Sequence, residues 1–345
     1  MILKNYSVMS LADAMDKTFD IHKKNMGSSA LYLFLYYIIS IIAYFIIFFV
    51  GMLSFAFTVA ELFDGFFMDD IFSNADFGAV IAISSIFVII FSLVLLFKFV
   101  QKVGIIDIAS KGFLDKSVGF EKALGLSFKK IPAIFTLIMA YAIIFLPIII
   151  GFILLTVKLN FILDFYSFDK IEIWMIVMII GFVVVFSLLS TLYMFSIHAV
   201  VLEKFYFFKA LKRSRNLVKN SFWKLFGINI LFSIVVSGIT YSIYSFLGVI
   251  VGLIMLILKT LDVRESILTA LLMAGNFLRI PIQLIFSLFI SPLGGIFTTI
   301  LYYNQRFKNE GYDIELELEG LKDKIVKEKK SEISRISIDS NERKI

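Results

Sequence analysis

The side chains best suited to acid–base or metal chemistry are scarce. The chain has two histidines, His22 and His198, and no cysteine. Thiolate nucleophiles, thiolate metal sites and disulfides are therefore excluded, and two imidazoles cannot by themselves complete the usual ligand sets for zinc. Each histidine is read as a structural, hydrogen-bonded group, with a proton or ligand role as the alternative. No glycine-rich phosphate loop, HExxH or Ser/His/Asp set with supporting context occurs. No catalytic residue, metal ligand or cofactor is assigned.

Two other groups of residues could bind rather than react. The first is a basic run in which Lys209, Lys212, Arg213, Arg215 and Lys219 fall within eleven residues, followed by Phe222 and Trp223. Basic side chains beside an anionic leaflet contribute about 1 kcal/mol each, and tryptophan suits the membrane interface. This set is the candidate headgroup site, although enforcing membrane orientation would explain the same charges. The second group is a pair of rows at steps of four: Asn229, Ser233, Ser237, Tyr241 and Ser245, then Arg279, Gln283, Ser287, Ser291, Gly295 and Thr299. A four-residue step drifts by about 40° per step on a helix, so each row spirals as a ridge. Small and hydroxyl residues on ridges let membrane helices approach closely. A polar cleft lined by Asn229, Ser233, Ser237, Gln283 and Ser287 is the alternative.

The elements that carry these residues are membrane spans. Apolar residues make up 60% of 345, and mean hydropathy is +0.93. Soluble domains sit near about 45–50%. Crossing about 30 Å of hydrocarbon takes about 20 mostly apolar residues. Six segments reach that length, at 30–58, 78–99, 132–157, 173–202, 225–257 and 277–303, with no charge in their central portions. That absence argues against proton- or ion-coupled transport. Gly248 and Gly252 in the fifth, and Pro281 and Pro292 in the sixth, predict kinks or tilts. The first apolar stretch is too long for a signal-peptide core, which runs about 7–15 residues, and is read as retained.

Orientation follows from basic residues. Of 33 Lys and Arg, 28 fall in the N-terminal stretch, the second-to-third and fourth-to-fifth connections and the tail, against 5 on the other side. The positive-inside rule places both termini in the cytoplasm. The first outer loop is acidic through Glu61, Asp64, Asp69, Asp70 and Asp76, read as solvation of that loop.

A threefold pattern appears when the cytosolic segments are aligned. Ser10–Asn25, Ser117–Pro132 and Tyr206–Ser221 each carry an Ala followed four residues later by a hydroxyl residue: Ala14 and Thr18, Ala123 and Ser127, Ala210 and Ser214. Each segment precedes an odd-numbered span. The fold class is therefore an all-α polytopic integral membrane protein, with six transmembrane helices as three hairpins, each preceded by a cytosolic interfacial amphipathic helix. In the first of these, Leu11, Met15, Thr18 or Phe19, His22 and Met26 are expected on the apolar face, with Ser10 and Asp13 as its cap. In the third, Phe207, Leu211, Ser214, Val218 and Phe222 trace that face. The predicted division is a transmembrane domain over 1–305 and a charged cytosolic tail over 306–345. Ile314, Leu318, Leu321 and Ile325 give the tail a short amphipathic helix, and the last dozen residues are expected to be disordered.

Leu202–Gly227 resembles the segment after the fourth span in the membrane domain of glycerophosphoryl diester phosphodiesterases and related prokaryotic integral membrane proteins. The matching residues are Glu203, Ala210, Leu211, Arg213, Ser214, Leu217, Val218, Phe222 and Trp223. Leu301–Glu315 is similar to the family's closing motif through Tyr302, Tyr303, Arg306, Glu310, Gly311 and Asp313. The N-terminal Ser10–Asn25 is similar to its opening helix. In family members that hydrolyse glycerophosphodiesters, the resemblance implies that chemistry resides in a separate (β/α)-barrel. Such a barrel takes about 250 residues, which this chain lacks. The expected role is a non-catalytic accessory, scaffold or regulator in the prokaryotic plasma membrane. Its expected partners are anionic lipid headgroups on the cytosolic side and a protein, with no nucleic acid. The alternatives are a transporter or flippase of a lipid or other amphipathic molecule, and an intramembrane lipid enzyme.

Overall fold

The computed structural model describes residues 7–65, 74–116, 119–163, 168–261, 263–319 and 321–322. Among them the secondary structure is helical, and six helices are long and apolar enough to cross a membrane. Long runs of Ile, Leu and Phe reach this solution because a helix satisfies every backbone polar group within its own segment.

The helices are α1 (Leu11–Gly65), α2 (Asn74–Phe113), α3 (Phe120–Lys129), α4 (Ile131–Leu163), α5 (Phe168–Leu192), α6 (Ser196–Leu202), α7 (Phe207–Val218), α8 (Phe222–Thr260) and α9 (Glu265–Glu310). The acidic loop residues Asp69 and Asp70, and the tail from residue 323 onwards, lie outside the described residues.

Burial is concentrated at one end of the bundle. Val100 to Phe113 of α2, nearly all of α6, and Leu293 to Phe307 of α9 supply most of the core, including the fully buried Ile106, Ile108, Phe297 and Tyr302. The start of α1, α3 and α7 pack around this centre. Away from it the spans turn large apolar side chains outward, among them Phe45, Phe48, Leu154, Ile179 and Leu256, each more than 60% exposed. An exterior of that kind suits hydrocarbon rather than water. Rings join the spans there: Phe145 meets Phe186 at 5.4 Å between centroids, and Phe152 meets Phe182 at 5.3 Å.

All six residues of the Ala–hydroxyl pattern are buried. Thr18 donates to the Ala14 carbonyl (2.7 Å) and Ser127 to that of Ala123 (2.9 Å), so each hydroxyl enters the core already satisfied. The Tyr32 hydroxyl of α1 donates to the Gln101 carbonyl at 2.9 Å and lies 2.9 Å from Ser127 Oγ. The Tyr32 ring occupies the space beside Gly104. A Cβ there would stand 2.2 Å from the tyrosine Cζ, so only glycine allows α1 and α2 to approach this closely.

Several expectations change. The first amphipathic face is set by Ala14, Thr18 and Ile21, leaving Phe19 and Met26 exposed. The Ser10–Asp13 cap forms, with the Asp13 carboxylate accepting from the Ser10 hydroxyl (2.6 Å) and the Asp13 N–H donating to Ser10 Oγ (3.2 Å). In α7, Ala210, Leu211, Ser214, Leu217 and Val218 are buried, whereas Phe207 is exposed. The second helix does not stop at residue 99 but continues to Phe113. Both α8 and α9 are continuous helices, α8 through Gly248 and Gly252 and α9 through Pro281 and Pro292.

The predicted fourth span, 173–202, is two helices. Between α5 and α6 the chain makes a tight turn, with the Met194 N–H donating to the Thr191 carbonyl (3.3 Å) and the Ser196 N–H to that of Tyr193 (3.1 Å). The carbonyls released by this break find side chains. Leu192 O accepts from Ser214 of α7 at 3.0 Å, and Tyr193 O accepts from Tyr141 of α4 at 3.1 Å.

Candidate functional site

The chemically densest place in the protein lies where α6, α7 and the end of α9 meet. Arg213 projects from α7 towards the two other helices rather than outward. Its Nε donates to Glu203 Oε2 at 2.6 Å and its Nη2 to Glu203 Oε1 at 2.8 Å, a bidentate pair. The other edge of the same guanidinium grips Glu310 through Nη1 and, at 2.8 Å, through Nη2. Two parallel N–H···O bonds on each side fix the geometry as well as the charge.

Arg306 completes the ionic group. One turn before Glu310 on α9, its Nε lies 3.1 Å from Glu310 Oε2 and 3.4 Å from Glu203 Oε1. Gly311 then ends the helix in the left-handed region (φ 64°), its N–H donating to the Phe307 carbonyl at 3.2 Å. That turn is natural for glycine and brings Tyr312 back over α9. The Arg306 Cζ sits 3.5 Å from the Tyr312 ring centroid, a cation–π contact.

An aromatic layer lies beneath the charges. Tyr302 donates its hydroxyl to Glu203 Oε1. The His198 ring stacks on Tyr302 at 5.3 Å and 21°, and Phe195 meets both rings edge-on. His198 Nε2 lies 3.2 Å from Thr299 Oγ1, while its buried Nδ1 has no hydrogen-bond partner. The structural reading of His198 thus has a bond on one nitrogen only. His22 is partly buried on α1, and its Nδ1 likewise has no partner, so the expected bond is missing at that atom.

The cluster is balanced and occupied. Its two carboxylates face two guanidinium groups, and every carboxylate oxygen accepts at least one hydrogen bond. General base catalysis needs a proton acceptor free to meet substrate. What this arrangement does is tie three helices together at a half-buried site. Neighbouring contacts extend the fastening: Asn309 Nδ2 donates to the Leu217 carbonyl (3.2 Å), and Lys308 Nζ to Ser221 Oγ (3.2 Å). Asn304 bridges both polar atoms of the Met9 backbone at 2.9 and 3.0 Å. Residues 9 and 304 are therefore neighbours, so the two ends of the helical bundle lie on one side.

The headgroup candidates separate. Lys209, Lys212 and Arg215 are exposed on α7, Lys219 is exposed just after it, and Trp223 is exposed at the start of α8. Arg213 does not belong with them, because both edges of its guanidinium are held by carboxylates. Its place in a basic run gave no sign of this; the signal in sequence was the Arg306–Glu310 spacing of four, which marks one half of the cluster. The boundary expected between residues 305 and 306 falls inside α9, and the second half of the ionic group lies beyond it. In the segment 312–319, Leu316 is the buried residue, with Ile314 and Leu318 exposed.

Side chains of the polar rows on α8 and α9 face outward or bond back to their own helices. Ser233 and Ser237 are exposed, and Ser233 returns its hydroxyl to the Asn229 carbonyl of its own helix (2.8 Å). Gln283 is exposed, and Ser287 bonds back to Leu284 O (2.7 Å). The two helices meet instead through Phe232 and Phe297, stacked 3.8 Å apart. Among the described residues, no group of three or more His, Asp or Glu side chains is arranged to hold a metal ion.

An all-helical bundle with six apolar spans, tied at one end by polar side chains, defines a multi-pass membrane protein. Residues 70–340 match the family described as the membrane domain of glycerophosphoryl diester phosphodiesterase, and the chain belongs to that family. The match includes Glu203, Arg213, Tyr302, Arg306 and Glu310, so the ionic cluster lies wholly inside the matched region. Comparison with curated proteins and with solved structures finds no match.

Proposed function

We propose that the chain is a non-catalytic multi-pass protein of a prokaryotic plasma membrane, with both termini cytosolic, acting as an accessory, scaffold or regulatory component. In this reading the outer face of α7 rests against anionic headgroups of the inner leaflet, and a protein partner is served by the same membrane domain. The observation that carries it is the division of labour on α7 and at Lys219 just after it. Arg213 is spent on fastening the fold, while Lys209, Lys212, Arg215 and Lys219 remain turned outward beside Trp223. The saturated carboxylates support a fastening role for the cluster rather than acid–base work.

The catalytic half is tested by incubating the purified protein with glycerophosphodiesters, with and without divalent metal; no hydrolysis is expected. Turnover that follows the chain through successive columns and disappears in His198→Ala would overturn it. The lipid half is tested by changing Lys209, Lys212, Arg215 and Lys219 to Gln while keeping Arg213. Retention of anionic lipid at low salt, read by mass spectrometry, should fall; retention equal to the parent would remove the headgroup role.

A further inference from the structure

The connection from α6 to α7 has three features that the ionic cluster does not use. Lys204 within it (φ 60°) and Phe207 at the first position of α7 (φ 50°) hold the left-handed backbone region without being glycine. Such conformations persist where the surroundings over-determine them, and they gather at functional sites. Here the Glu203 and Phe205 N–H groups both donate to the Ala199 carbonyl, at 3.2 and 3.1 Å, which pins the loop to the end of α6.

The second feature is aromatic exposure. Phe205 and Tyr206 are 38% and 47% exposed and continue into the exposed Phe207 and Phe208. The loop follows the end of one apolar span, at Leu202, and lies beside the start of another, at Ile131. That is the depth at which aromatic side chains meet headgroups.

The third is a convergence of cations. Lys130 reaches across from the start of α4, donating its Nζ to the Val200 carbonyl at 3.0 Å and standing 5.9 Å from the Tyr206 ring centroid. Burial, then the nearby charges of Lys204 and Lys129, hold its ammonium below the ordinary lysine value. Among the described residues none of these three lysines is paired with a carboxylate, since Glu203 is taken by Arg213 and Tyr302. A group of like charges held together at a membrane interface is stabilised by an anion between them.

We propose that Lys129, Lys130 and Lys204, with Phe205 and Tyr206, form a discrete binding site for the phosphate of an anionic glycerophospholipid, with the aromatic pair against its glycerol and upper acyl region. The site rests on the membrane placement given above but not on the outer face of α7, whose charges are spread along a helix. Lys130 is the inner cation, oriented by Val200; Lys129 and Lys204 close on the phosphate from the exposed side.

The probe is phosphatidylglycerol labelled on an acyl chain, titrated into the full chain in neutral detergent at about 150 mM salt, where diffuse surface attraction is largely screened. A Lys129→Gln/Lys204→Gln double variant leaves the Lys130–Val200 bond in place and should bind at least about tenfold more weakly. The charge-retaining Lys129→Arg/Lys204→Arg variant should bind like the parent. Changing Lys209, Lys212 and Lys219 to Gln should alter affinity by less than about threefold at this salt. Parent-like binding by the Gln double variant overturns the site, as does an equal loss in the Arg variant. Equal losses in the loop and α7 variants would also overturn it, while leaving the α7 reading intact. Free glycerol phosphate competing as well as the lipid would show a soluble-anion site and reject the lipid assignment.

Discussion

Ser214 closes the gap that opens in the chain after Leu192: its hydroxyl donates to the Leu192 carbonyl at 3.0 Å and accepts the Phe195 N–H at 3.1 Å. One side chain of α7 thus satisfies both strands of a broken helix, a carbonyl on one side of the turn and an amide on the other. The break would otherwise leave two buried backbone groups without partners, at a cost of about 1–3 kcal/mol each. Thr18 and Ser127 hold the corresponding pattern positions but spend their hydroxyls on carbonyls of their own helices.

Replacement of Ser214 by Ala should therefore cost about 2–6 kcal/mol, because it removes both bonds with little change in volume. Ser233→Ala, where an exposed hydroxyl bonds only to its own helix, should be silent. Thermal unfolding of the two variants in the same detergent checks the contrast; equal midpoints would refute the role given to Ser214.

The Arg213–Glu310 contact joins residues 97 positions apart. A double-mutant cycle with Arg213→Ala and Glu310→Ala should give a coupling above the roughly 1 kcal/mol of an exposed pair, since both groups are partly shielded and doubly bonded. Arg213→Lys keeps the charge but cannot hold both carboxylates in bidentate form, and should recover less than half of the loss. Additive single-variant effects would show that the contact is incidental.

Gly104→Ala should destabilise the α1–α2 pair by about 1–3 kcal/mol, because its Cβ would overlap the Tyr32 ring. Tyr32→Ala would open that space at the price of the bond to Gln101 and the contact with Ser127. Adding Gly104→Ala to a Tyr32→Ala background should then cost much less than in the parent, as measured by unfolding midpoints.

Topology can be read without background, since the chain contains no cysteine. Single cysteines replacing Ser73 or Ser167 should react with a membrane-impermeant thiol reagent applied from outside intact cells, and those replacing Ser117 or Ser334 should not. Strong outside labelling at position 117 would overturn the placement of both termini in the cytoplasm.

The six spans were legible in the sequence because hydrocarbon selects on a one-dimensional property, the length of an apolar run between charges. The buried Ala–hydroxyl pairs were legible for a related reason: a spacing of four on a helix puts two small residues on one face wherever the helix packs. Other features depended on partners distant in the chain. Arg213 stands among four exposed cations within a few residues, and only the arrival of Glu310 on α9 and Glu203 beyond α6 turns it inward. The break at Tyr193 has no proline or glycine to announce it, because the groups that make it tolerable, the hydroxyls of Ser214 and Tyr141, come from other helices. Periodicity predicted which helices have an apolar side, but neighbouring helices rotated that side by a residue or two, exposing Phe19, Met26 and Phe207. Local composition decides where a chain enters the membrane, whereas hydrogen-bond and ion-pair partners are chosen in three dimensions.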